Sequence, residues 1–136
     1  MVSEEGWERF KGGPVTAFRD RIYASIGPQK KILFNANLYF AWGSPTAVYL
    51  FLNRRLKQIA LMPAPADDAT AFPMKQHERS FFIMAGSFCR HYNIRVKRTH
   101  RFTSPTITDD GQLILDLEDT TEVSRERGGK PGRKEV

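Results

Sequence analysis

Short apolar runs separated by polar breaks recur twice along the middle of the chain. The first series runs from Lys31 to Pro63, and the second runs from Phe81 to Leu117. Each series contains a β-prone run, a break, a short segment with helical spacing, and two further β-prone runs around a polar turn. The pattern therefore predicts two strand–helix–hairpin units in tandem.

Each predicted helix spans one to two turns and carries large apolar side chains four residues apart. In the first unit Leu38 and Trp42 share one face, Asn37 is the expected N-cap, and Gly43 follows the last turn. The second unit repeats this arrangement with Ser87, Phe88, Tyr92 and Asn93. The residues that close the two helices, glycine and asparagine, both tolerate a positive φ.

A predicted hairpin completes each unit. In the first unit, strands over residues 47–52 and 58–62 flank a polar turn. In the second unit, a strand over about residues 96–103 and a return strand over 112–117 flank the turn signal Asp109-Asp110-Gly111. The two strands of each hairpin are expected to pair with each other.

The two units align with each other along the chain. A shift of 50 positions places Ile32 on Phe82 and Trp42 on Tyr92 without a gap, and a shift of 54 aligns the return strands. A unit of about 35 residues is too small to bury its apolar face alone. Two such units can cover each other around a pseudo-two-fold axis, as a homodimer does.

The layout of strand, break, short helix and hairpin resembles the swapped-hairpin unit of the AbrB/MraZ (SpoVT-AbrB type) family of DNA-binding proteins. The residues that carry the resemblance are Ile32-Leu33-Phe34-Asn35, Leu38 to Gly43 and Val48 to Pro63 in the first copy, and Phe82-Ile83-Met84, Phe88 to Asn93 and Arg101 to Leu117 in the second. Two copies in one chain are similar to MraZ and to bacterial proteins that share this layout. The resemblance implies an α+β, mostly β fold in which two repeats form a pseudo-two-fold, swapped-hairpin-like barrel. It also implies DNA binding by basic residues on or beside the strand–helix loops.

The chain is expected to form one domain, because its 136 residues lie within the usual size of a domain. The Gly-, Pro- and charge-rich end of the chain cannot bury enough apolar surface to order itself. The expected parts are an N-terminal helix and extended segment (1–30), a first repeat (31–63), a linker (64–79), a second repeat (80–119) and a flexible basic tail (120–136).

Several features indicate the compartment. Cys89 is the single cysteine, so no internal disulfide can form. The first ten residues include three glutamates and no apolar run, which is not typical of a secretory signal. No apolar stretch approaches the roughly 20 residues that a bilayer span requires. We therefore expect a cytoplasmic protein with no membrane partner.

The chain is basic, with a net charge of +6 and a pI of about 9.7. The charge is uneven, because residues 78–101 carry +5 and residues 102–123 carry −6. Basic and aromatic residues alternate irregularly over 90–102, a pattern that suits phosphate contacts and base stacking. We predict a nucleic-acid interface, with DNA as the expected partner, formed by Arg54, Arg55, Arg90, Arg95, Lys97, Arg98 and Arg101.

Two interpretations of these basic residues remain open. They fit a DNA-binding protein, such as a bacterial transcriptional regulator. They also fit the solvated face of a strand, with the bases paired to acidic residues between 109 and 119. In the second case the chain is a protein–protein interaction or scaffold module of AbrB-like fold, which binds another protein or a second copy of itself.

Other chemistry finds little support in the sequence. His77, His91 and His100 do not have the spacing of a metal site. Cys89 is predicted to be a small buried hydrophobic residue rather than a nucleophile. The chain has no Gly-rich phosphate loop and no nucleophile motif. We therefore expect no bound metal, no cofactor and no enzymatic activity.

Overall fold

The computed structural model describes Gly6 and residues 22–123. The predicted N-terminal helix, and the part of the predicted tail beyond residue 123, lie outside these residues. The described residues form eleven strands and two short helices, so this part of the fold is mostly β. In chain order the elements are β1 Ala24–Ile26, β2 Lys31–Asn35, α1 Ala36–Trp42, β3 Ala47–Asn53, β4 Gln58–Pro63, β5 Phe72–Pro73, β6 Lys75–His77, β7 Ser80–Met84, α2 Gly86–His91, β8 His100–Phe102, β9 Thr106–Ile107, β10 Leu113–Asp116 and β11 Thr120–Glu122.

The strands form two antiparallel sheets rather than the closed barrel that the sequence predicted. The first sheet has the order β11-β8-β1-β2-β7-β6, and the second has the order β5-β3-β4-β10-β9. A barrel closes only when every edge strand finds a partner. Within the described residues, each sheet instead ends in two short edge strands that pair on one side only.

One strand of the first unit pairs with the corresponding strand of the second unit in each sheet. In the first sheet β2 pairs with β7, and Ile32 lies opposite Ile83. In the second sheet β4 pairs with β10, and Ala60 lies opposite Ile114. These two pairings join the halves of the chain, so neither half has a sheet of its own.

The hydrophobic core takes alternate side chains from both sheets and one face of each helix. On β2, Ile32 and Phe34 are buried while their neighbours are partly exposed, which is the period of a half-buried strand. Each large apolar side chain contributes about 1.5–3 kcal/mol when it is buried. The largest fully buried side chains are Phe34, Phe102, Ile26, Ile32, Leu38, Ile59, Leu61, Ile83, Leu113, Leu115, Val48 and Cys89.

The predicted N-cap of the first helix was wrong by two residues. Asn35, not Asn37, caps α1, and its side-chain oxygen accepts a hydrogen bond of 3.0 Å from the backbone N–H of Leu38. The same oxygen accepts a bond of 3.0 Å from the backbone N–H of Tyr23. Asn35 therefore ties the helix to the segment before β1, a contact that the local sequence does not reveal. The end of the helix was predicted correctly, since Gly43 has a φ of +107°.

The second helix also begins earlier than predicted. Ser87 lies inside α2 instead of capping it, because the helix begins at Gly86 with Ala85 in the N-cap position. No side chain caps this end. The helix ends at His91, and Asn93 then takes a φ of +56°, in agreement with the predicted change to positive φ.

The predicted pairing of the second hairpin was wrong. The expected strand over 96–103 is reduced to β8, which pairs with β1 and β11 in the first sheet. Its Phe102 is only 2% exposed there, and burial of this ring favours the long-range pairing over a local hairpin. The return strand β10 pairs instead with the short β9, around a turn in which Gly111 has a φ of +87°. Residues 93–99 connect α2 to β8 without regular structure.

Parts of the predicted linker and tail are strands as well. The linker contains β5 and β6, and the first residues of the tail form β11. All three strands are at or beside sheet edges, where short and polar sequences can pair on one side. The first part of the linker is irregular as predicted, and the Tyr49 hydroxyl holds it by a hydrogen bond to Asp68.

Candidate nucleic-acid interface

A cleft of about 390 Å³ opens beside the end of α2, and we call it the α2 cleft. Three parts of the chain enclose it: the turn between β3 and β4, the segment that follows α2, and the strand β8 with residues 117 and 120. Its lining combines apolar, aromatic and basic side chains. These residues are Ile26, Leu52, Arg54, Lys57, Tyr92, Asn93, Ile94, Arg95, Val96, His100, Leu117 and Thr120.

The segment after α2 takes its shape from backbone hydrogen bonds. The N–H of Ile94 donates to the carbonyl of Cys89 at 2.8 Å, a bond that the positive φ of Asn93 makes possible. The Asn93 side chain then accepts a bond of 3.2 Å from Nε of Arg95. The guanidinium of Arg95, which lines the cleft, is therefore bonded to a residue of its own loop.

The opposite wall is the turn between β3 and β4. Asn53 stabilises this turn by accepting a 2.9 Å bond from the backbone N–H of Leu56. The carbonyl of Lys57 accepts a 2.9 Å bond from the N–H of Leu117, which fixes the turn against the end of β10. Arg54 reaches across the cleft, with its guanidinium carbon 5.1 Å from the centre of the Tyr92 ring. Such cation–π contacts are worth about 0.5–1 kcal/mol at exposed sites.

A second concavity, the α2 groove, adjoins the cleft. It shares four residues with the cleft, Asn93 to Val96, and continues past the helix. Its remaining lining residues are Lys30, Cys89, Arg90 and Lys97. Burial raises the pKa of the Cys89 thiol, while the charges of Lys30 and Arg90 act in the opposite direction. Cys89 is fully buried, as the sequence predicted.

The cleft and the groove together have a strongly positive lining. Six cations from three separate parts of the chain line them, and neither lining includes an Asp or Glu. The cations are Lys30, Arg54, Lys57, Arg90, Arg95 and Lys97, and we call this set the basic surface. Within the described residues the single ion pair lies elsewhere, between Arg98 and Glu122 at 3.2 Å. None of the six cations of the basic surface therefore forms an ion pair with a carboxylate in the described part of the chain.

The structure brings together four of the seven predicted site residues: Arg54, Arg90, Arg95 and Lys97. Arg55 is exposed on the same turn as Arg54, but it does not line either concavity. Arg98 is paired with Glu122, and Arg101 lies on β8 with its guanidinium carbon 4.8 Å from the centre of the Tyr23 ring. The prediction omitted Lys57 and Lys30. The sequence could have indicated Lys57, because it lies in the same polar turn as Arg54, between β3 and β4. The position of Lys30 beside α2 depends instead on the pairing of β2 with β7.

Trp42, at the end of the first helix, is more deeply buried than Tyr92. Trp42, which aligns with Tyr92, is 4% exposed and packs on Phe34 with ring centres 5.4 Å apart. Its indole N–H donates a 2.9 Å bond to the carbonyl of Gly111 in the turn between β9 and β10. Trp42 thus contacts the turn between β9 and β10, whereas Tyr92, which follows α2, contacts Arg54 of the turn between β3 and β4. Tyr92 is half-buried and lines the α2 cleft.

The described residues offer neither a metal site nor a membrane-spanning helix. No group of three or more His, Cys, Asp and Glu side chains in the described region is arranged to hold a metal ion. Neither of the two helices, of seven and six residues, has the length and hydrophobicity of a membrane-spanning helix.

Comparisons with known proteins do not assign the chain to a family. No family model, no curated protein and no solved structure matches it. The resemblance to AbrB/MraZ proteins therefore stays a prediction.

Proposed function

We propose that the protein is a cytoplasmic DNA-binding protein that contacts phosphates through the basic surface. The observation that carries this proposal is the convergence of six cations on two adjoining concavities that no described carboxylate lines. Like charges on neighbouring segments repel one another unless an anion lies between them. Arginine and lysine contacts to phosphate supply most of the affinity of non-specific nucleic-acid binding. A role in transcriptional regulation is the form of this activity that the AbrB/MraZ resemblance implies.

The arrangement of the two halves supports the same proposal. We infer that the chain contains two copies of one unit, which exchange contacts as swapped hairpins do. The pairs β2–β7 and β4–β10 join corresponding strands of the two copies, and this is the expected result of a two-fold axis. The reciprocal contacts of Trp42 and Tyr92 with the opposite hairpin turns follow the same symmetry.

The first test is the salt dependence of DNA binding. Fluorescence anisotropy with a labelled mixed-sequence duplex, and separately with a single strand, gives the binding constant at several salt concentrations. Neutralisation of about five phosphates predicts a slope of about −4.5 for log K against log salt on duplex DNA. Failure to bind at low salt, or a slope near zero, would refute the proposal.

The second test asks whether the basic surface is responsible. The double variant Arg95→Gln/Lys97→Gln removes two of its cations and should weaken binding by about 10–100-fold, and reduce the steepness of the salt slope by about 2. The matched control is Lys75→Gln/Arg79→Gln, which removes the same charge from exposed residues in and after β6 that line neither the cleft nor the groove. Equal losses in the two double variants would show that only net charge matters, and would exclude the proposed surface.

A protein-interaction role is a second candidate, and one observation favours it. The outward face of the second sheet carries a row of apolar residues, Phe51, Ala60 and Ile114, which lie opposite one another on β3, β4 and β10. Phe51 is 48% exposed. Exposed apolar rows on a sheet are typical of contact surfaces between proteins. If DNA does not bind, a Phe51→Ser variant that loses self-association in analytical ultracentrifugation would support this second candidate.

A further inference from the structure

We infer that the α2 cleft binds a small organic phosphate with a planar apolar body, of which a nucleoside monophosphate is the prototype. This inference goes beyond DNA binding, because such a ligand needs the cleft alone and not the whole basic surface. The cleft volume of about 390 Å³ lies within the range of ligand pockets, which runs from about 300 to 1,000 Å³.

The lining of the cleft combines two kinds of side chain, cationic and apolar. Arg54, Lys57 and Arg95 supply three cations, which suit the double charge and several oxygens of a phosphate monoester better than a single carboxylate. Ile94, Val96 and Leu117 supply apolar surface against which a ring system can pack. Small-molecule sites typically combine a mainly apolar lining with a few polar groups that fix the orientation of the ligand.

The cleft is also pre-organised for a ligand. The Arg95 guanidinium is bonded to Asn93 at 3.2 Å, and the Arg54 guanidinium lies over the Tyr92 ring. Neither arginine has a carboxylate partner in the described part of the chain. Cations that are already positioned lose less side-chain entropy when an anion arrives.

Tyr92 aligns with Trp42 in the sequence, but the two side chains have different surroundings. The indole of Trp42 is buried and bonds to Gly111, whereas the phenol of Tyr92 lines the open cleft. An unfilled cleft beside the core forgoes contacts that a larger side chain would make. A Trp at position 92 would fill it, and the chain instead has a smaller ring surrounded by cations.

The experiment is isothermal titration of the full chain with adenosine 5′-monophosphate, with adenosine and with inorganic phosphate. We expect the monophosphate to bind with a Kd below about 1 mM, and each of the two fragments to bind at least about tenfold more weakly. Chemical shifts of the Ile94, Val96 and Leu117 amides should move with the same Kd. No heat and no shift at millimolar monophosphate would overturn the inference, as would equal affinity for phosphate alone.

Two variants connect the binding to the cleft. Tyr92→Trp should copy Trp42, close the cleft and abolish monophosphate binding, while the far-UV circular dichroism spectrum stays unchanged. Arg95→Gln should weaken binding by about tenfold or more without filling the cleft, so it tests the inference even if the Trp variant misfolds. Lys75→Gln on the exposed strand β6 is the control and should bind as the parent does. Undiminished binding in both cleft variants would place the ligand elsewhere and refute the inference.

The result is separable from that for DNA. If the chain binds the monophosphate but not DNA, the inference about the cleft stands and the proposed DNA-binding function is refuted. If the chain binds DNA but not the monophosphate, the proposed function stands and this inference is refuted.

Discussion

Replacing Trp42 by Phe should destabilise the protein far more than replacing Tyr92 by Phe. The indole of Trp42 is 4% exposed, packs 5.4 Å from Phe34, and donates a 2.9 Å hydrogen bond to the carbonyl of Gly111. Loss of that bond leaves a partly buried carbonyl without its donor, which costs about 1–2 kcal/mol. The smaller ring leaves a cavity and gives up apolar burial, for about another 1–2 kcal/mol.

The sum, about 2–4 kcal/mol, is a large part of the roughly 5–15 kcal/mol that stabilises a domain of this kind. Urea unfolding followed by far-UV circular dichroism measures it, and the midpoint should fall while the m-value stays constant. Tyr92→Phe, which keeps the ring at the half-buried corresponding position, should change the free energy of unfolding by less than about 0.5 kcal/mol. Trp42→Phe with a loss below about 1 kcal/mol would refute the view that this indole anchors one half of the chain to the other.

Three other predictions follow from the structure. Asn35→Ala should destabilise the protein by about 1–2 kcal/mol in urea unfolding, whereas Ser87→Ala, in the helix without a side-chain cap, should cost less than about 0.5 kcal/mol; equal costs would contradict the observed caps. Hydrogen bonds donated by Tyr49 and, to a smaller extent, by Thr70 lower the pKa of Asp68, so the stability that they provide is present above the unfolded pKa and is lost as pH falls through the folded pKa. Tyr49→Phe should therefore reduce the fall in Tm between about pH 5 and pH 2. An unchanged fall would contradict the contact. Burial raises the pKa of the Cys89 thiol and shields it from solvent. An aromatic disulfide reagent should therefore modify Cys89 at least about a hundredfold more slowly in the native protein than in urea. Comparable rates would contradict its burial.

The sequence predicted those elements whose signals are local. The alternation of Ile32 and Phe34, the four-residue spacing of Leu38 and Trp42, and the glycine that ends the first helix are each visible within a few residues, and all three are present. A period of two or of 3.6 reflects which side chains share a face, and that information is contained in the segment itself. The first hairpin was predicted for the same reason.

The errors concern contacts between distant segments. β8 pairs with β1 and β11 in the first sheet, and nothing within residues 96–103 indicates those partners. The three residues of β6 are all exposed, so they show no hydrophobic alternation at all. Either Asn35 or Asn37 is a good cap by type, and the choice depends on the backbone of Tyr23, twelve residues away. Pairing register and partner choice depend on the whole fold and not on local propensity.

The basic surface shows the same division between residue type and residue position. The sequence indicated that basic residues cluster between residues 90 and 101, but in the structure these side chains have different contact partners. Arg95 and Lys97 line the concavities, Arg98 pairs with Glu122, and Arg101 covers Tyr23. Because residues 93–99 are irregular and not a strand, simple alternation does not decide which side chains point the same way. The positive φ at Asn93 sets the direction of this segment, and the sequence had indicated that change.

If the chain contains two copies of one unit, as proposed, their fusion has a physical consequence for the cleft. In a homodimer every substitution occurs twice, so a residue that opens a cleft at one copy opens it at both, and the lost packing is doubled. In a single chain the two positions are independent. Trp42 can then fill its place and bond to Gly111, which stabilises the contact between the halves, while Tyr92 keeps its place open beside Arg54 and Arg95. The double substitution Trp42→Tyr/Tyr92→Trp tests this division of roles, because it places the larger indole in the cleft that Arg54 and Arg95 line. Binding of an organic phosphate should then be lost although the combined ring volume is unchanged, and retained binding would contradict this division.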